Sequence, residues 1–161
     1  MPTCPPNLGL IHGEGDLRER LQPVVCGADI LGYAYVRCYQ DAYGIRPIVL
    51  SSIDVKITSS SRLCDYRVVP SLNTEEGLVS TLLGLGEQLA GEGKVPILHG
   101  SADWNTRMIS LHKAELEQWY VVPYIDFGLL DEITQKRRFY EICEELGIAY
   151  PKTWYVPCPA E

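Results

Sequence analysis

One thirty-residue run, "PVVCGADILGYAYVRCYQDAYGIRPIVLSS" from Pro23 to Ser52, leaves little choice of fold. Pro23 to Cys26 is short, apolar and rich in valine, the pattern of a strand buried on both faces. Gly27 interrupts it. Leu31, Ala34, Tyr35, Cys38 and Ala42 then recur at i, i+3, i+4, i+7 and i+11, which predicts one apolar stripe of an amphipathic helix ended by Gly44. A second apolar strand, Arg46 to Ser52, follows after only two or three residues. So short a return forces the second strand to lie parallel to the first through a right-handed crossover.

The remainder repeats that alternation. Tyr66 to Pro70 predicts a third strand, placed toward a sheet edge by its proline, and Ile53 to Cys64, with "TSSSR", an exposed loop. Asn73 with Glu76 resembles a capping box for a helix facing the sheet with Leu78, Leu82, Leu85 and Leu89, stopped by Gly91 and Gly93. Lys94 to Gly100 predicts a fourth strand. Asp103 can cap a helix that turns Met108, Leu111 and Leu116 inward, and Trp119 to Ile125 predicts a fifth strand. The expected fold class is α/β: a Rossmann-like, open, mostly parallel sheet with helices on both faces. Residues 1–22, with three prolines and three glycines, form a loose lead-in, and residues 23–133 form the sheet domain. Residues 134–161 form a separate C-terminal segment. Two short helices, Asp126 to Ile133 and Gln135 to Leu146, precede "YPKTWYV", a strand with no partner left in the chain.

Charge and cysteines bound the function. A formal net charge of −7 repels nucleic acid and anionic lipid, so an anion site must be local. No apolar run approaches the ~18 residues of a membrane span, and the N-terminus lacks a basic start followed by an apolar segment. The six cysteines form no C-x-x-C pair and cluster with no histidine, so we expect reduced core thiols, no metal site and a cytoplasmic protein.

In open α/β sheets, ligands bind beyond the carboxyl ends of the strands where strand order reverses. Two loops fit. In the first, Gly27, Ala28 and Asp29 bring backbone N–H groups to a helix start that suits a carboxylate or phosphate. The spacing is G-x-x-x-x-G with no following lysine, and the plainer reading is a tight turn at Gly27 with Asp29 as cap. The second loop holds His99, Gly100, Ser101, Asp103 and Arg107, whose planar fork suits an oxyanion. No G-x-S-x-G elbow supports a hydrolase triad, and no residue is assigned a catalytic role. A third feature is "TQKRRFYEICEEL", where Lys136, Arg137 and Arg138 occupy a first helical turn and Glu141, Glu144 and Glu145 follow. That order opposes the helix dipole unless a polyanion binds there; the plainer account is i,i+4 pairing of Arg137 with Glu141.

With these residues in place the chain shows a family likeness. "FYEICEELGIAYPKTW", preceded by Gln135-Lys136, resembles the entrance to the nucleotide-binding half of ATP-grasp enzymes. Together with "VVCGADILGYAYVRCYQDAYG", "LHGSADWNTRMISLHKAEL" and "VPYIDFGLLDEIT", Val24 to Tyr155 resembles the pre-ATP-grasp domain of carboxylate–amine ligases of the D-aspartate ligase kind. The resemblance implies that ATP phosphorylates a substrate carboxylate and an amine attacks the acyl phosphate to form an amide, with magnesium bridging the phosphates. It implies an ATP-phosphate contact for Lys136, and places Gly27 and the Gly100 to Asp103 loop facing the active site. Counterparts of the later ATP-grasp lysine and metal ligands are missing before Glu161. The expectation is therefore a substrate-side fragment, inactive alone, whose partners are a small carboxylate, an amine, an ATP-grasp domain outside the chain and a second copy in a homodimer. The alternatives are a stand-alone small-molecule-binding or docking module and a dinucleotide-binding domain; the latter lacks the glycine fingerprint, and Asp54 lies beyond its second strand.

Overall fold

A computed structural model describes residues 16–155. Residues 1–15 of the expected lead-in, with Cys4 and His12, and the C-terminal residues from Val156, with Cys158, lie outside that range. A one-turn helix α1 (Leu17–Arg20) opens into β1 (Leu21–Cys26), which leads through Gly27 to α2 (Ile30–Tyr43) and back along β2 (Ile48–Ser51). β3 (Asp65–Val68) adds outside β2 and β4 (Val95–Gly100) adds on the other side of β1. The order is β3-β2-β1-β4 and every pairing is parallel, with Val25 between Val49 and His99. The α/β class and the edge position of the third strand stand as anticipated.

Alternation of side chains across the strands divides the core in two. Val24, Cys26, Leu50 and Leu98 meet Leu78, Leu82, Leu85 and Leu89 of α4 (Glu75–Gly91), with Ile109 of α5 (Asp103–Leu111) and Leu116 of α6 (Lys113–Leu116). Each of those buried leucines is worth about 2 kcal/mol in area removed from water. On the other face Val25 and Val49 pack against Val36 of α2, Ala28 and Cys64. α3 (Lys56–Ser59) closes this side, where the buried Thr58 donates its hydroxyl to the Ala28 carbonyl at 2.8 Å. The segment expected as an exposed loop therefore holds a helical turn.

Other expectations are corrected by local chemistry. The fifth strand shrinks to one parallel bridge, Val121 beside Ile97, with Val121 N–H donating to Pro96 and Leu98 N–H donating to Val121. The next donor in that ladder would come from residue 123, a proline, which has none. The α4 cap is Thr74, whose hydroxyl accepts from Gly77 N–H at 3.2 Å, while Asn73 ends a 3-10 turn at Pro70–Asn73. α5 is entered from Ala102, so Asp103 stands inside the first turn rather than at the cap. The largest correction concerns α2. Its buried residues are Gly32 and Val36, and the stripe Leu31, Ala34, Cys38 and Ala42 lies exposed, leaving Cys38 outside the core that holds Cys26 and Cys64.

The chain divides into two compact units, Met1–Phe127 and Gly128–Glu161. α7 (Phe127–Thr134) begins at the division and contains the anticipated boundary after Ile133. The second unit carries α8 (Lys136–Glu145), with Cys143 buried and Tyr140 stacked on Tyr150 at 4.8 Å between ring centroids. Among the described residues, no helix is long and apolar enough to cross a membrane.

Candidate functional site

β1 has β2 on one side and β4 on the other, and the helices that follow β1 and β4 leave toward opposite faces of the sheet. Their departing loops leave a crevice at the carboxyl end, where such sheets take ligands. A cavity of about 360 Å³ occupies it, lined by Gly27, Ser51, Ser52, Asn73, Trp104 and Asn105 together with Leu72 and Ala102.

Gly27 builds the first wall. Its N–H continues the sheet by donating to the Leu50 carbonyl at 2.8 Å, and its φ of +102° turns the chain out of β1. A Cβ at this position would collide with Ser101 Oγ and lie 3.1 Å from Asn105 Oδ1. Gly32 is equally constrained, since a Cβ there would collide with the Gly27 carbonyl oxygen. Asp29 caps α2 by accepting from Gly32 N–H at 2.9 Å, and Ala28 is buried. The two glycines of the G-x-x-x-x-G spacing thus allow close backbone approach, and the Asp29 carboxylate is already engaged.

The opposite wall is the start of α5. Gly100 donates its N–H to Tyr124 Oη at 2.7 Å, and a Cβ on it would stand 2.8 Å from Thr106 N, so glycine lets the helix begin directly above β4. The first backbone bond of α5 runs from Thr106 N–H to the Ala102 carbonyl. The N–H groups of Asp103, Trp104 and Asn105 precede it without helical acceptors, and Ala102 has no side-chain oxygen to cap them. Ser101 stands beside this terminus. Its N–H bonds the Cys26 carbonyl at 2.9 Å, yet its hydroxyl, in a residue only 7% exposed, has no hydrogen-bond partner among the described residues. Uncapped N–H groups and an unsatisfied hydroxyl are the chemistry that suits an anionic oxygen; Ser101 lines not this cavity but an adjoining space of about 210 Å³ beside α2, with Leu31, Ala34, Tyr35, Cys38 and Gly100. No lysine or arginine lines the cavity, and the polar groups it offers are N–H, hydroxyl and amide.

Three expected members of the site, His99, Arg107 and Asp103, do not line the cavity. His99 faces α2 from the other side of β4, stacked on Tyr35 at 4.6 Å between ring centroids, with Nε2 2.7 Å from Tyr39 Oη. Burial pushes its pKa down to about 4, so at neutral pH the ring is an uncharged partner of Tyr39. Arg107 holds its guanidinium over the Phe127 ring, 5.3 Å from the centroid, and does not line the cavity. Asp103 does not line it either.

In the second unit Lys136 opens α8 behind Gln135, whose side chain makes no cap, and no acidic residue stands in the first turn. Arg137 lies 3.7 Å from Glu141, and Arg138 bonds Glu145 at 3.0 Å with Glu132 and Glu141 nearby. The plainer account, pairing of Arg137 with Glu141, holds, and Arg138 is ion-paired as well. Lys136 has no ion pair among the described residues. Nor do these residues include a cluster of three or more His, Cys, Asp or Glu side chains able to hold a metal ion.

Set beside known proteins, the chain is similar to a D-aspartate ligase. That of Enterococcus faecium (strain Aus0004) is 32% identical over 139 residues, which are 86% of this chain and 33% of that protein. The chain spans about a third of the length of this curated relative. No family profile and no solved structure matches it.

The likeness covers the strands, the glycine corners and the α5 start, but the cavity also draws on residues that pattern reading passed over. Ser51 and Ser52 follow the apolar "IVL" of β2, so a hydroxyl pair at a strand end was the available signal. Asn73 reads as a cap in sequence; Thr74 takes that task and Asn73 lines the cavity. Trp104 and Asn105 stand in the first turn of α5, where their side chains border the space below its free N–H groups.

Proposed function

We propose that this chain is the substrate-side part of an ATP-dependent carboxylate–amine ligase, with the cavity between Gly27 and α5 receiving a substrate carboxylate. The reading is carried by the D-aspartate ligase likeness, which runs through both walls of that cavity. A carboxylate placed there, at the side that adjoins Ser101, would accept hydrogen bonds from the Ser101 hydroxyl and the first N–H groups of α5, and the helix dipole favours the charge. Asn73 and Asn105, each with donor and acceptor atoms, suit an α-amino group or a second polar end.

ATP supplies the phosphoryl group that makes the carboxylate an acyl phosphate, and an amine then displaces phosphate to leave an amide. Lys136, unpaired at an uncapped helix start, is the described residue whose chemistry fits the ATP phosphates. The described residues offer no ligand set for magnesium, and no step is assigned to a metal on this chain. A dinucleotide reading is not favoured: Asp54 is half exposed and ion-paired with Lys56.

Calorimetric titration of amino acids and dicarboxylates into the chain, with D-aspartate first, tests the assignment. The expected result is saturable binding of a free carboxylate and none of its amide. If no carboxylate binds, or if a dinucleotide binds in its place, the reading fails.

A further inference from the structure

The cavity and the space that adjoins it have walls of different kinds. Ser51, Ser52, Asn73 and Asn105 give the cavity hydroxyl and amide groups. The space of about 210 Å³ beside α2 is bounded by Leu31, Ala34, Tyr35 and Cys38, and no charged side chain lines it. Its one side-chain hydroxyl besides that of Tyr35 is the unsatisfied one of Ser101.

The two spaces meet at Gly27. A Cβ on this residue would collide with Ser101 Oγ and stand 3.1 Å from Asn105 Oδ1, so a residue of each space converges on the bare face of the same glycine. The apolar wall is fixed to that corner as well. Gly32 brings the start of α2 against the Gly27 carbonyl, and Tyr35 is held by its stack on His99. At about 360 Å³ the cavity alone is at the low end of the ~300–1,000 Å³ usual for small-molecule sites, and the second space extends it.

These walls divide a ligand into parts. With a carboxylate at Ser101 and the start of α5, and an amino group toward Asn73 and Asn105, what remains of an α-amino acid is its side chain. The space beside α2 offers that side chain apolar contact and would strip the water from a charged one without a lysine or arginine to replace it. Ala34, one helical turn from Leu31 and one from Cys38, is the smallest side chain of this wall and leaves the room between them.

We propose that the space beside α2 is the side-chain subsite for the carboxylate substrate, that it selects an α-amino acid with a short aliphatic side chain, and that Ala34 sets its depth. The proposal rests on the carboxylate reading of the cavity.

Calorimetric titration of alanine, leucine and aspartate, each in both enantiomers, into the full chain tests it. One enantiomer of leucine should bind at least about tenfold more tightly than the same enantiomer of alanine, since each buried methylene contributes roughly fourfold, and aspartate should bind no better than alanine. Ala34→Phe fills the space from an exposed helical position, so its thermal melt should match wild type and its affinity for leucine should fall to that for alanine. A second measurement needs no substitution: leucine, and not alanine, should slow alkylation of Cys38, followed on its own peptide by mass spectrometry. Equal binding of alanine and leucine, tighter binding of aspartate than of leucine, a leucine preference that survives Ala34→Phe, or Cys38 labelling indifferent to leucine each overturns the subsite and leaves the carboxylate reading standing. Binding of no carboxylate at all overturns both.

Discussion

Replacing Ser101 with alanine should make the protein more stable and the site worse. The hydroxyl is buried against Gly27 without a hydrogen-bond partner among the described residues. Burying such a group unpaired costs about 1–3 kcal/mol, and removing it recovers that cost. The variant gives up the contacts of one oxygen atom, at roughly 0.1–0.2 kcal/mol for each neighbour, which returns about 0.5 kcal/mol of the gain. The expected net is a stabilisation of about 1 kcal/mol, seen as a rise of roughly 2–4 °C in melting temperature for a domain of this size.

Binding should move the other way. If the hydroxyl donates to a carboxylate, its bond to a charged acceptor contributes about 1.5–3 kcal/mol, so Ser101→Ala should weaken a bound carboxylate at least about tenfold. Urea denaturation and calorimetric titration with D-aspartate on the same preparations give both quantities. A loss of more than about 1 kcal/mol in stability would mean that the hydroxyl is satisfied within the fold. A gain in stability with unchanged affinity would mean that its lack of a partner has nothing to do with ligand.

Gly27→Ala should cost about 2 kcal/mol or more, because a side chain at φ +102° is strained and its Cβ also meets Ser101 Oγ; Gly27→Ala/Ser101→Gly should recover only the steric share, measured by the same urea midpoints. His99 predicts a pH dependence: its folded pKa of about 4 lies below the ordinary 6.5, so its contribution is complete above pH 6.5 and is lost as pH falls from 6.5 toward 4. The loss is on the order of 2 kcal/mol for a ring still partly solvated, and the urea-stability difference between wild type and His99→Gln should shrink through that window. A constant difference would refute the assignment. His112, held above its usual pKa by Glu115 and then Glu75, contributes with the opposite sign and cancels from this comparison. Lys136→Ala should leave the melting temperature within about 1–2 °C of wild type and, on the proposed ligase reading, weaken ATP binding; a large drop in stability would make the residue structural.

The sheet was legible because β1, β2 and β4 are short apolar runs, and few arrangements bury such runs on both faces. α2 was legible as a helix but not in its orientation. Its stripe of leucine, alanine, tyrosine and cysteine satisfies helical periodicity as well as the true inner face does, and that inner face includes Gly32, which has no hydrophobic side chain to register. Gly32 faces inward because the Gly27 carbonyl lies against it, a contact that periodicity does not encode. The fifth strand failed for the opposite reason: Val121 and Val122 have strand-forming side chains, but Pro123 removes the donor that would extend the ladder. Of the cavity walls, the glycine corner was legible from its place at a strand end. His99 was not, because neighbouring residues of a strand point to opposite faces and periodicity alone did not say which face held the crevice.

Three local departures from economical folding coincide at that crevice. Gly27 adopts a backbone conformation closed to other residues, α5 begins without a side-chain cap, and Ser101 buries a hydroxyl with nothing to bond it. Elsewhere the same chain solves these problems: Asp29 caps α2, Thr74 caps α4, and Thr58 pairs its buried hydroxyl with the Ala28 carbonyl. α3, α6 and α8 also start without a side-chain cap, so the missing cap of α5 is not distinctive by itself; what sets this end of β1 and β4 apart is that all three departures meet there. One ligand oxygen placed between Ser101 and the start of α5 would satisfy the hydroxyl and the free N–H groups together, and the missing side chain of Gly27 is what leaves Ser101 in position to reach it.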